Sequence, residues 1–348
     1  MRITNAMLVN TFISNMNNNM NKMSVLQYQM GGKKNQHISD DPVALIYSQQ
    51  AKYKLRRLAD YSQNVNLAKS WIVQAEAGSM ELNKVLASAY ESCIDAATDV
   101  KTETDFANVA KYVGQLRDHV LDTLNTTIGD KFVFAGYNTT GYETGGKRVP
   151  PFTVDAATGH LMYNGVDLKD ADPAVLAQVD AMRKDVMTYD VAYGTEMPVT
   201  VNGIDLAFYG KDPVTGENLN IYNLLSDMYT ALTTRQNLNP DYDPMDPESE
   251  EYLPINADDI NVFISDLQKA QNHVLAQTAE FGGRNIRLEI LESRYKQDEL
   301  NYTQMRSDAE DSDLAEVIMR LSMAETVYNS SLAAGARIIQ PTLMDFLK

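Results

Sequence analysis

Apolar residues at Val9, Phe12, Met16, Met20, Met23, Leu26 and Met30 are spaced by three and four, which draws one stripe along a helix. Asn15, Asn17, Asn18, Asn19 and Asn21 occupy much of the remaining surface. Asparagine amides compete for the backbone, so this helix is expected to be marginal without a partner. Gly31-Gly32 ends it, and Ser39-Asp40-Asp41-Pro42 supplies capping side chains and a first-turn proline for the next. From Val43 a helical period of about sixty residues carries Ile46, Leu55, Leu58, Val65, Ile72, Leu82, Val85, Leu86 and Ile94 with no proline, which predicts a rod with Gly78 as a candidate kink. A second helix, with Phe106, Val109, Val113, Leu116, Val120 and Leu124, is expected to fold back on it as an antiparallel hairpin.

The period then changes. Lys131-Phe132-Val133-Phe134-Ala135-Gly136-Tyr137 is short, aromatic and closed by glycine, and reads as a strand entering turns. Turn signals recur at Thr140-Gly141, Gly145-Gly146, Asn164-Gly165 and Asn202-Gly203, with one helix expected near Pro173 to Met187 and another over Ile221 to Leu232. Prolines 240, 244, 247 and 254, with acids between them, predict a linker. Helix resumes at Ala257 or Asp258, with a break expected at Phe281-Gly282-Gly283. Ser312-Asp313 caps a last helix whose seam is Leu314, Val317, Leu321, Ala324, Tyr328, Ser331, Gly335 and Ile338, ending before Pro341.

Long helices at both ends and strands between them predict a mainly α protein with an inserted α+β domain, the helical bundle being built from both chain ends. Five segments follow: an N-terminal assembly helix and loop (1–41), a rod half with strand entry (42–141), a strand-rich outer domain with an acidic linker (142–255), the second rod half (256–311) and a C-terminal assembly helix (312–348). The two terminal stripes need partners to become ordered. Val9, Phe12, Met16, Met20, Met23, Leu26 and Met30, with Leu314, Val317, Leu321, Ala324, Tyr328 and Ile338, are therefore expected to form an assembly interface; packing on their own chain is the alternative.

Charge narrows the chemistry. Thirty basic residues against 47 acidic ones give a net charge of −17, which disfavours a nucleic-acid partner. The single cysteine, Cys93, excludes an intrachain disulfide and reads as a small buried hydrophobe. His37, His119, His160 and His273 are scattered, with no His-Glu-x-x-His pair, so no metal site is expected. Gly31-Gly32-Lys33-Lys34 lacks the spacing of a nucleotide loop, and no nucleophile elbow occurs. The acidic run from Asp241 to Glu251 lacks a calcium loop's central glycine and reads as a solvated linker. No catalytic, cofactor or metal residue is expected, and the chain reads as a non-enzyme. No apolar run suits a signal peptide or approaches the roughly 18 residues of a membrane span, so conventional secretion and membrane insertion are not expected.

The loop and capped start Gly32-Lys33 through Ser39-Asp40-Asp41-Pro42-Val43, the turn Glu280-Phe281-Gly282-Gly283-Arg284 and the junction Ala309-Glu310-Asp311-Ser312-Asp313-Leu314 resemble the bacterial flagellin superfamily. Phe134-Ala135-Gly136-Tyr137 followed by Pro150-Pro151-Phe152, and the terminal Thr342-Leu343-Met344-Asp345-Phe346-Leu347, resemble its hook–filament junction branch more than filament flagellin. The resemblance implies a structural adaptor, exported through the flagellar type III apparatus with a chaperone and placed outside the cell. Its implied partners are hook-associated protein 1, flagellin and further copies of itself in a ring. Two other readings remain open: a filament-forming flagellin, and an acidic extracellular binding module acting through residues 142–255.

Overall fold

The computed structural model describes residues 5–37, 39–97, 103–169, 172–212, 216–234, 236–238, 252–254 and 257–338. Helices α1 (Asn5–Gln29), α2 (Pro42–Ala97) and α3 (Glu103–Leu124) open the chain. Short strands follow: β1 (Thr127–Ile128), β2 (Lys131–Phe132), β3 (Tyr142–Thr144), β4 (Lys147–Val149), β5 (Phe152–Val154), β6 (Leu161–Tyr163) and β7 (Val166–Asp167). Helix α4 (Pro173–Lys184), β8 (Thr188–Ala192), β9 (Thr195–Pro198), α5 (Gly203–Ala207), β10 (Phe208–Lys211), β11 (Asn218–Asn220) and α6 (Ile221–Thr234) lead to β12 (Gln236–Leu238) and β13 (Tyr252–Pro254). Two helices, α7 (Ala257–Glu310) and α8 (Leu314–Ile338), close the described chain. The fold is mainly helical, with long helices toward both ends and a small strand-rich middle.

Every described sheet is antiparallel, and β5-β6-β7 is the largest. Most are hairpins closed by glycines at positive φ, such as Gly145 and Gly194, as such tight turns require.

The chain divides into two compact units, residues 61–293 and residues 1–60 with 294–348. In the first, α2 and α7 run antiparallel: Lys69 meets Glu292, Glu76 meets Asn285, Ser79 accepts from Thr278 and Tyr90 accepts from Gln268. Val65, Ala68, Trp71, Ile72, Leu82, Leu86, Leu267, Val274, Phe281 and Leu288 are buried in this unit. His119 of α3 reaches Glu81 of α2 at 3.2 Å, as the expected hairpin requires. A Cβ on Gly114 of α3 would lie 3.2 Å from the Tyr229 ring, so this glycine lets α3 and α6 approach closely.

Two local expectations are corrected. The expected strand forms only in pieces: Lys131–Phe132 pairs with Thr127–Ile128 and Ala135 makes an isolated bridge with Asn202, while the chain turns inward and buries Phe134 and Ala135 as core. Helix α7 runs unbroken through Phe281-Gly282-Gly283, with Phe281 buried and Gly282 beside Glu76. Gly78 stays within α2, and the space its missing side chain leaves is filled by the Phe134 ring, 2.7 Å from where a Cβ would stand. Most of the expected proline linker lies outside the described residues, while Tyr252–Pro254 pairs with Gln236–Leu238.

Candidate assembly surface

The second unit holds both chain ends, with α1 and α8 packed against each other. Their direction is antiparallel: the ring of Phe12 rests on Gly335 near one end, and Ser312 donates to the Gln29 carbonyl at 2.6 Å near the other. Helix α8 starts where expected, with Asp313 Oδ1 accepting from Ala315 N at 2.9 Å. Asp41 caps α2 in the same way, accepting from Ala44 N at 2.9 Å.

The seam is readable from burial. On α1, Val9, Phe12, Met16, Asn19, Met23 and Leu26 are half-buried, a 3-4 alternation in which Asn19 holds the position adjoining the exposed Met20. Met30 is also exposed, so neither it nor Met20 belongs to the stripe as the structure packs it. On α8, Val317 and Gly335 are buried, and Leu321, Ala324, Tyr328 and Ser331 are half-buried; Leu314 is exposed. The side chain of Ile338, and Leu343, Met344, Asp345, Phe346 and Leu347, lie outside the described residues. The structure thus places the two predicted stripes between α1 and α8 of one chain, in an antiparallel coiled-coil seam.

Sequence reasoning missed the faces outside that seam. Helix α8 leaves Ile318, Met319, Met323, Val327 and Leu332 exposed, the first four each by more than half. Helix α1 leaves Met7, Leu8, Ile13, Met20, Val25 and Tyr28 exposed. A helix apolar on several faces is expected to be covered on more than one, and among the described residues α8 packs chiefly on α1. The overlooked signal was the near absence of charge from α8 after Arg320, where only Glu325 and Arg337 interrupt the run to Ile338.

The motif around residues 134–152 does other work. Phe134, Ala135, Pro151 and Phe152 are buried; Pro150 and Tyr137 are exposed, the latter by 71%. Ala135 O accepts from the Tyr163 hydroxyl at 2.9 Å, Gly136 N donates to Val201 O, and the Asn125 amide brackets the Phe152 backbone at 2.9 and 3.1 Å. These residues knit strands to helices inside residues 61–293.

Each histidine whose bonding is resolved there has one partner of its own: His119 with Glu81, His160 with Asp167 at 2.9 Å, and His273 with Asp205 O at 2.7 Å. Among the described residues no group of three or more His, Cys, Asp or Glu side chains could hold a metal ion, and no helix is long and apolar enough to cross a membrane. Cys93 is buried, and burial pushes its thiol up to about 12, the opposite of an activated nucleophile.

No family model matches the chain. It is 26% identical over 314 residues to flagellar hook-associated protein 3 of Escherichia coli strain K12, covering 87% of this chain and 86% of the relative. To flagellar hook-associated protein 3 of Salmonella typhimurium it is 25% identical over 341 residues, 95% of each chain. Its fold matches the flagellar junction protein FlgL of Legionella pneumophila with a TM-score of 0.53 at 13% identity, covering 77% of this chain and all of that one. The resemblance to flagellar hook-associated protein 3 therefore extends over most of the chain, and its relatives are structural proteins of the flagellum.

Proposed function

We propose that this flagellar hook-associated protein 3-like chain is a non-enzymatic adaptor between hook and filament, working by coupled folding and assembly of its terminal helices. The observation that carries the reading is the apolar surface left on α1 and α8 after they have packed on each other. The seam supplies the internal pairing. Ile318, Met319, Met323 and Val327, with Ile13 and Met20 on α1, supply the surface for neighbouring subunits. Burying them against a neighbour offsets the entropy of ordering two helices that are weak alone. On this reading the neighbours are further copies in a ring, hook-associated protein 1 on one side and flagellin on the other. Export through the type III apparatus with a chaperone delivers the chain to the outer end of the hook. Acidic residues of the strand-rich part, such as Asp155, Asp190, Glu196 and Asp212, keep it hydrated outside the tube.

The test separates seam from surface. Ile318→Asp and Met323→Asp place a charge on the exposed face and should leave the helix pair folded. Cells carrying either are expected to export the protein, keep their hooks, lack filaments and shed flagellin into the medium. Leu321→Asp strikes the seam and should also lower the helical signal of the purified protein. Normal filaments with both surface variants would overturn the proposal, and long polymers from the purified protein alone would favour a filament flagellin.

A further inference from the structure

We propose that Glu310 is the keystone of an ionic clasp that fixes the α1/α8 pair to the adjoining ends of α2 and α7, so that opening the clasp turns this elbow into a hinge. The inference concerns residues 1–60 and 294–348 alone and does not depend on the adaptor reading. Only two stretches of chain cross the elbow: residues 30–41 between α1 and α2, and residues 311–313 between α7 and α8.

The crossings are tied to each other through backbone and side chain. Lys34 N donates to Glu310 O at 2.8 Å, Ser312 N donates to Gly32 O at 3.2 Å, and Lys33 and Asp311 form an isolated β-bridge. The Glu310 carboxylate then gathers three elements at one point. It accepts from the Ser48 hydroxyl and the Lys52 ammonium of α2, and lies 3.5 Å from the Lys33 ammonium of the loop. Lys33 also reaches Asp311 at 2.9 Å.

The loop's other ties are polar as well: Gln29 Nε2 donates to Lys34 O at 2.8 Å, and Gln36 N and His37 N donate to Asp40 Oδ2 at 3.0 and 2.7 Å. None of its described residues is buried. A cleft of about 350 Å³ opens beside it, lined by Tyr28, His37, Ser48 and Glu310 among others, and a groove of about 570 Å³ lies between it and Val43, Tyr47 and Met305. With so few apolar contacts, the crossing is fixed by hydrogen bonds and charge, which open locally more readily than packed core. Burial works against the Glu310 carboxylate, but the bonds from Lys52 and Ser48 and the charges of Lys52 and Lys33 outweigh it and hold the group below its ordinary range.

Trypsin reads the clasp directly, because Lys33 and Lys34 lie in the loop it holds. In the full chain, Glu310→Gln is expected to raise the cleavage rate after Lys33 and Lys34 about tenfold while helical ellipticity stays unchanged. Lys52→Met should act in the same direction, and ~1 M NaCl should speed wild-type cleavage more than that of Glu310→Gln. Glu316→Gln, which breaks only the exposed pair with Arg320 on α8, should leave the rate alone. Nitroxides on Asn21→Cys and Lys54→Cys in a Cys93→Ser background should show a broadened distance distribution when Glu310→Gln is added. Unchanged cleavage and an unchanged distance distribution would overturn the clasp. So would faster cleavage accompanied by lost ellipticity, since that marks a melted helix pair and not a hinge.

Discussion

A Cβ added to Gly78 would lie 2.7 Å from the Phe134 ring, and one on Gly203 would lie 2.6 Å from Phe152 and 2.9 Å from Phe134. Both rings are buried, so neither can move aside cheaply. Gly78→Ala and Gly203→Ala are each expected to cost about 1–3 kcal/mol, measured by urea unfolding, although alanine is the better helix former at position 78. Tyr163 makes a second residue-level case. Burial pushes its phenol from the ordinary 10.0 up to about 12, so the folded state keeps a proton that the unfolded chain would release. Its contribution is complete below pH 10.0 and is lost as pH rises toward about 12; that of Cys93, moved from 9.0 to about 12, is lost over a wider alkaline range. Tyr163→Phe should lose about 1 kcal/mol at neutral pH with its bond to Ala135 O, and should also soften the alkaline decline, as unfolding at pH 7 and about pH 11 would show. Neither glycine announces its task in sequence. Asn202-Gly203 reads as a turn and proves to be an N-cap, Asn202 Oδ1 accepting from Ile204 N at 3.0 Å.

At the scale of elements, α1 and α8 depend on each other. Each is 25 residues long, and α1 carries five asparagines between positions 15 and 21. A chain ending at Asp313 should therefore lose the helical ellipticity of both helices and not of α8 alone, read by circular dichroism. Leu321→Ala, at a half-buried seam position, should cost about 1–2 kcal/mol, less than the ~2–5 of a fully buried leucine. The long helices were legible because cap chemistry is local: Asp41-Pro42 and Asp313 mark starts that the structure keeps. The stripe on α1 was legible in period but not in membership. Met20 is more apolar than Asn19, yet the 3-4 alternation set by Phe12, Met16 and Met23 puts Asn19 on the seam. What the stripes face was not legible, since periodicity shows that a face is buried and not which chain buries it. The strand expected over 131–137 forms only in part, for a different reason. Its aromatic and β-branched residues belong to a turn packed under α2 at Gly78, a long-range contact with no local signature.

For the molecule as a whole, the net charge of −17 and the predicted pI near 4.6 set the acid limit. Glu81, Asp155 and Asp311 are all held below their ordinary ranges, by hydrogen bonds from His119, Thr158 and Lys33 respectively. Lowered carboxyl groups stabilise the fold above pH 4.5 and lose that effect as pH falls through their folded values, so stability should hold down to about pH 5 and decline below pH 4. Light scattering should rise near pH 4.6, where mutual repulsion vanishes. The one tryptophan adds an optical asymmetry. Trp71 is buried within residues 61–293, and residues 1–60 and 294–348 contain none. Indole emission therefore watches one unit and is blind to the other, whereas far-ultraviolet ellipticity sums both. If the terminal helices melt first, ellipticity will fall while the emission maximum stays fixed, and the gap between the two curves measures the loss of the terminal pair without any added label.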